Sequence, residues 1–335
     1  MSHRFQMCWK KKLGNFYLFG SGFTKAVFED APLNADLLST IINIDGVDSP
    51  LGRLRDKYQL DDIEMLLTRL DLDILCSADA TDRASTRIAV ENQLAAFFGR
   101  YRFREEILVS KPWLRKFSLD LLTENDTILT VNYDCFLDGL LDFLEIWTPN
   151  GGYLHIHNPL VEETPCNPRG IVILKIHGSE NFRLSSVFRH PEQESVSYDF
   201  SPSIFPKSAA RSFFRGGIDS RPYVIAPSYV KIPKVEIAYL MMAALTRVNE
   251  STNFVISGCS FRNEDGFLWL LLTSFLRQSE KWRNKRILVI DPAADNLCDK
   301  IRNYWPAGIF NESNLVSIPT GIELGIDKTC NTLNS

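Results

Sequence analysis

The residues best suited to chemistry stand in small or polar clusters, each directly after a compact apolar run. Gly20-Ser21-Gly22-Phe23-Thr24 follows Asn15–Phe19, Asn132-Tyr133-Asp134 follows Thr127–Val131, and His177-Gly178-Ser179 follows Ile171–Ile176. Pro227-Ser228 follows Tyr223–Ala226, Gly258-Cys259-Ser260-Phe261 follows Asn253–Ser257, and Asp291-Pro292 follows Arg286–Ile290. These residue types suit an anionic, ribose-bearing ligand. Small residues let the backbone approach a pyrophosphate, and a helix N-terminus offers N–H donors to its charge. A carboxylate at a strand end can accept from both hydroxyls of a ribose. Asn and His add groups that orient a hydroxyl or water and take up a proton near neutral pH. Each cluster also has an ordinary structural explanation: a tight turn for the glycines, a helix cap for Asn132 and Asp134, a turn for His177 and Asp291. Their recurrence at successive strand ends is what points to a site.

Such clusters converge only if the runs are parallel strands of one sheet, with the ligand beyond their carboxyl ends. A helical stretch, Lys25–Glu29, follows the first run. Helical segments at Cys135–Leu144, Val235–Val248, Glu264–Leu276 and Ala293–Tyr304 alternate with the later strands, and Asn314–Ile318 reads as the last strand. The pattern predicts an α/β fold: a Rossmann-like, mostly parallel sheet with helices on both faces. Between residues 34 and 124 the character changes. Leu37, Leu38, Ile41 and Ile42 recur at helical spacing, as do Ile63, Leu66, Leu67 and Leu70, so 34–124 reads as a helical insertion. Phe182–Arg221 is rich in Ser, Pro, Arg and Phe with weak periodicity, and predicts a lid or long loop over 182–221. The tail after Gly325 reads as loosely ordered.

Composition narrows the function classes. With 335 residues, 45% hydrophobic and 23% charged, the chain is an ordinary globular one, long enough to bury a core without staples. A net charge of −4 gives no general footprint for nucleic acid or an anionic membrane. The longest strongly apolar stretch, Gly266–Leu276, falls short of the roughly 18 to 20 residues of a spanning helix, so no membrane span is expected. Seven widely spaced cysteines form no C-x-x-C pair, which excludes a Cys-based zinc ribbon and fits a reducing, cytoplasmic setting. His155 and His157 share one side of an expected strand, but without a third ligand no metal site is expected. Lys10-Lys11-Lys12 reads as a solvated basic patch, and Tyr229, Lys231 and Pro233 as a pocket rim.

Taken together, the motifs resemble the sirtuin-like superfamily. They are more similar to the sirtuin-like NAD-hydrolase domains of bacterial antiphage defence than to protein deacylases. The family's glycine turn and Pro-Leu stretch stand here as Gly20-Ser21-Gly22-Phe23-Thr24 and Pro32-Leu33-Asn34. Its T-x-N-Y-D motif is Thr130-Val131-Asn132-Tyr133-Asp134, its H-G motif His177-Gly178, and its G-x-S-F with an acidic pair Gly258-Cys259-Ser260-Phe261 with Glu264-Asp265. The resemblance implies a discontinuous NAD-binding domain, residues 13–33 and 125–325. It implies NAD as substrate, with no metal, and Asn132 and His177 as the catalytic pair. It further implies Asp134 near the nicotinamide ribose, Gly20, Ser21, Gly22 and Phe23 at the phosphates with Thr24 beside them, and Gly258, Ser260 and Asp291 on the adenosine side. The implied activity is NAD+ glycohydrolysis to nicotinamide and ADP-ribose, in a triggered effector that depletes NAD. The implied partners are further copies of the chain in a homo-oligomer, or a defence protein such as an ATPase or an Argonaute-like protein. The missing zinc cysteines count against a deacylase. An NAD-dependent deacylase or ADP-ribosyltransferase and a non-catalytic NAD or ADP-ribose sensor stay open as alternatives.

Overall fold

The structure is a computed structural model. It describes residues 14–334 except 77–79, 159–160, 163–166, 188–189, 212, 215–219, 230–232, 263–264, 277–283 and 306–313. Lys10–Lys12, Lys231 and Glu264 lie outside the described residues.

The chain opens with β1 (Phe16–Phe19), whose four residues are all buried, and turns through Gly20 into α1 (Ser21–Val27). Helices follow: α2 (Leu37–Asp45), α3 (Pro50–Tyr58), α4 (Ile63–Leu75), α5 (Ala80–Phe98), α6 (Glu105–Ser110) and α7 (Trp113–Lys116). Local chemistry sets their starts. Ser49 accepts from the Gly52 N–H with Pro50 in the first turn of α3, and Asp62 accepts from the Met65 N–H at the head of α4. Leu38, Ile41, Leu51, Leu66, Leu67 and Leu94 pack with Tyr133, Val224 and Ala226 into an apolar cluster separate from the main core.

Strand β2 (Thr127–Thr130) then leads to α8 (Phe136–Phe143) and α9 (Pro149–Gly152). Next come β3 (Val161–Glu162), β4 (Val172–Lys175), β5 (Gly178–Val187), β6 (His190–Tyr198), α10 (Ser208–Arg211), β7 (Phe213–Phe214) and β8 (Arg221–Val224). The chain closes with α11 (Val235–Glu250), β9 (Asn253–Ser257), α12 (Gly266–Leu276), β10 (Arg286–Ile290), α13 (Ala294–Tyr304), β11 (Leu315–Ile318) and α14 (Ile322–Asn334).

Six strands form one parallel sheet in the order β11-β10-β9-β1-β2-β4. Phe19 pairs with Thr130 on one side and Ser257 on the other, so β1, β2 and β9 end level. Helices flank the sheet, and its strands read FYLF, TILT, VILK and RILVI because both faces are covered. This is a Rossmann-like α/β architecture.

Five local expectations are corrected. Helix α1 begins at Ser21, not Lys25, so Ser21-Gly22 is its first turn. The described residues of 182–221 build strands where a long loop is expected: β5 and β6 pair antiparallel, with β8 on the other edge of β5. Phe182, Leu184, Val196 and Tyr198 are buried in that sheet, but Ser197 is buried too, and this blurs the alternation in the sequence. The strand expected at Tyr223–Ala226 is instead β8, Arg221–Val224, in this small sheet and outside the parallel one. The tail beyond Gly325 is helix α14, which buries Ile322, Ile326 and Thr329 at three- to four-residue spacing. His155 and His157 lie in a turn and irregular backbone, not on a strand.

Candidate functional site

Four parallel strands end at one cleft of about 910 Å³, its open mouth included. Gly20, Ser21 and Thr24 reach it after β1, Asn132 and Asp134 after β2, His177 after β4, and Gly258 and Ser260 after β9. The sheet order reverses at β1: the chain moves outward through β2 and β4, then crosses to β9, β10 and β11. A crevice beyond the strand ends at such a reversal is where open α/β sheets bind ligands.

The glycines of this edge answer to backbone contact. A Cβ on Gly20 would stand 2.4 Å from the Gly258 carbonyl oxygen, and one on Gly22 2.6 Å from Gly258 Cα. Gly258 has φ +60, and its own Cβ would stand 2.4 Å from the Phe23 nitrogen. The Gly22 N–H donates to the Gly258 carbonyl at 3.0 Å, so the two loops dock main chain to main chain. Gly22 and Phe23 lie outside the cleft lining: the Phe23 ring stacks on Phe19 at 4.5 Å, inside the core. Asp291 also lies outside it, and accepts from the Ala293 N–H at 2.8 Å as the turn residue before α13.

Asn132 is held by its amide. Its Nδ2 donates to the Gly20 carbonyl at 2.9 Å and to Thr24 Oγ1 at 3.0 Å. Both amide hydrogens are thus committed, and the group it can offer a ligand is its carbonyl oxygen, an acceptor. The Thr24 hydroxyl donates in turn to Asp134 Oδ2 at 2.7 Å. Asp134 Oδ1 accepts from the Phe136 N–H at 3.1 Å, where α8 begins. Burial pushes the Asp134 carboxyl up to about 6, against the opposing pull of the Lys175 ammonium. Lys175, fully buried at the end of β4, donates to the Asp134 carbonyl at 2.7 Å and to Asp138 Oδ2 at 2.9 Å.

His177 sits in the turn between β4 and β5. Its carbonyl accepts from the Ile225 N–H at 2.8 Å, and its Nε2 lies 3.8 Å from Asp265 Oδ1, a second acid of the cleft. Gly178 after it has φ +76, and a Cβ there would meet the Tyr223 carbonyl oxygen at 2.4 Å, so the His-Gly pair has a backbone reason. The Tyr133 ring centre lies 6.3 Å from that of His177, while the Tyr133 hydroxyl donates to the Ile225 carbonyl at 2.8 Å. Burial pushes the Cys259 thiol up to about 12 and raises Cys135 well above its ordinary value, so neither is a thiolate nucleophile at neutral pH.

Sequence reasoning missed a whole wall. Glu64 on α4, Phe98 at the end of α5 and Tyr101 just beyond it line the cleft, with Ala31 before them, and Arg262 lines it from the β9 loop. Helical periodicity marks the buried face of such a segment but not which end meets a sheet edge. Tyr229 is not among the lining residues, whereas Pro227 is. Among the described residues, no group of three or more His, Cys, Asp or Glu could hold a metal, and no helix is long and apolar enough to cross a membrane.

No protein-family model matches the chain, and no curated protein matches it. Among solved structures it is similar to a Sir2 homologue mutant in complex with ADP-ribose, at 12% identity over 97% of this chain and 93% of that one, with a TM-score of 0.42. It is similar also to a Sir2 homologue triple mutant in complex with 2'-O-acetyl ADP ribose, at 12% identity over 96% and 92%, with a TM-score of 0.41. Likenesses this remote assign no ligand or activity to this chain.

Proposed function

We propose that the cleft binds NAD+ and hydrolyses its nicotinamide–ribose bond, releasing nicotinamide and ADP-ribose. The observation that carries this reading is convergence: Asn132 and His177, from the ends of β2 and β4, line the same cleft as the docked loops after β1 and β9. In the reaction, water adds to ribose C1 while the bond to the pyridine nitrogen breaks. The bonding electron pair leaves with nicotinamide, and the proton of water passes to a base and then to solvent. His177 takes that proton. Asn132 presents its carboxamide oxygen to the water or to a ribose hydroxyl, because its amide hydrogens are occupied. The Asp134 carboxylate, behind Thr24, favours the positive charge that develops on the ribose.

The test is incubation of the purified chain with NAD+ and quantification of nicotinamide and ADP-ribose. Wild type is expected to release both in equal amounts, and Asn132→Ala and His177→Ala to lose at least a hundredfold in rate. Unchanged turnover in either variant removes that residue from the mechanism. Product that appears only with an acylated or protein acceptor would assign a transferase instead, and binding without turnover a sensor.

The triggered, NAD-depleting role in antiphage defence belongs to the same proposal, with oligomer assembly or a partner protein as the control. Unchecked NAD+ hydrolysis would be lethal to its host, and the wall at Glu64 on α4 and Phe98 on α5 gives control a route to the cleft. Comparing turnover of the chain alone and with its genomic neighbour's product decides this.

A further inference from the structure

The cleft is mostly acidic where it is charged. Glu64, Asp134 and Asp265 line it, and Arg262 is the one Lys or Arg among the described lining residues. Arg262 Nη1 lies 3.0 Å from Glu64 Oε2, an ion pair that joins the β9 loop to α4. The other Glu64 oxygen accepts from Asn34 Nδ2 at 2.8 Å, so this carboxylate is held on both sides. The main chain of Arg262 is equally fixed: its carbonyl accepts from the Asp265 N–H at 3.1 Å and from Trp269 Nε1 at 3.2 Å. The guanidinium, on its flexible stem, is the part free to change partner.

A pyrophosphate entering this cleft meets repulsion from three carboxylates and attraction from one guanidinium, whose planar fork suits phosphate oxygens. Glu64 and the pyrophosphate are therefore rivals for the same cation. We propose that Arg262 is the residue that selects the pyrophosphate of the ligand, and that Glu64 competes with it, so that binding frees α4 from the β9 loop. This rests on the nucleotide reading of the cleft.

The experiment measures ADP-ribose and adenosine affinities by calorimetry for wild type, Glu64→Gln, Arg262→Ala and the double variant. Glu64→Gln removes the rival charge but keeps a partner for Asn34, and is expected to bind ADP-ribose about two- to fivefold tighter. Arg262→Ala is expected to bind it at least tenfold more weakly, and in that background most of the gain from Glu64→Gln should vanish. Adenosine, which lacks the pyrophosphate, should bind alike to all four. Equal ADP-ribose affinity in Arg262→Ala and wild type overturns the inference, as does an unchanged affinity in Glu64→Gln. Both of these results leave the nucleotide reading standing. Failure of wild type and Glu64→Gln alike to bind ADP-ribose overturns that reading and this inference with it. Thermal midpoints measured without ligand separate a loss of binding from a loss of folding.

Discussion

Thr24 and Asp134 meet side chain to side chain at 2.7 Å, although 110 positions separate them in the sequence. The contact joins the first turn of α1 to the segment between β2 and α8, and Asn132 hangs from its middle by a 3.0 Å bond to the Thr24 hydroxyl. Replacing Thr24 by Val keeps the shape but removes this relay. The expected outcome is a tenfold or greater loss of NAD+ cleavage and a stability loss of about 1–3 kcal/mol from the buried groups left unpaired. Thr24→Ser should retain most of both, measured by nicotinamide release and denaturant titration.

The raised carboxyl of Asp134 gives a pH signature. Below about 6 it binds a proton and ceases to be a pure acceptor for Thr24. Cleavage is expected to fall on the acid side of that value. Asp134→Asn should show low activity with this acid limb absent, as read from kcat against pH.

Asp126 supplies a stability signature of opposite appearance to common acid denaturation. It is fully buried, accepts from the Asn15 N–H at 2.7 Å and the Thr123 N–H at 2.6 Å, and burial pushes it up to about 7. Its unfolded value is about 3.9. The folded state therefore binds the extra proton between these limits, and its stabilising contribution is full below about 4 and lost as pH rises through about 7. The stability of wild type minus that of Asp126→Asn is expected to grow as pH falls from 8 to 5, measured by thermal melts across that range.

The Lys175–Asp138 pair is nearly inaccessible on both sides, at 0% and 1% exposure. Removing one partner of such a pair strands a buried charge. Lys175→Met is expected to destabilise the protein by about 3–5 kcal/mol, and adding Asp138→Asn to recover part of that in urea titrations.

The strand ends were readable because each parallel strand is a short apolar run covered on both faces and followed by small or polar residues. That pattern places Asn132, His177 and the glycines after β1 and β9 at one edge from the sequence alone. The antiparallel β5–β6–β8 sheet was not readable, since Ser197 is buried where alternation calls for an exposed residue. Glu64 and Arg262 were missed for another reason: their meeting depends on how α4 leans on the β9 loop, a tertiary fact with no local pattern. Phe23 and Asp291 show the converse. Each stands in a suggestive motif, yet one ring completes an aromatic stack and the other carboxylate caps a turn.

The two apolar clusters have a consequence for cooperativity. Tyr101 and Tyr133 belong to one cluster, Phe261 and Leu268 to the other, and all four line the cleft. The cleft thus lies on the boundary between two apolar interiors, the kind of boundary along which cooperative unfolding units separate. A ligand lodged there stitches them together, so amide exchange that reports sub-global opening of the helical unit should slow toward the rate set by global unfolding.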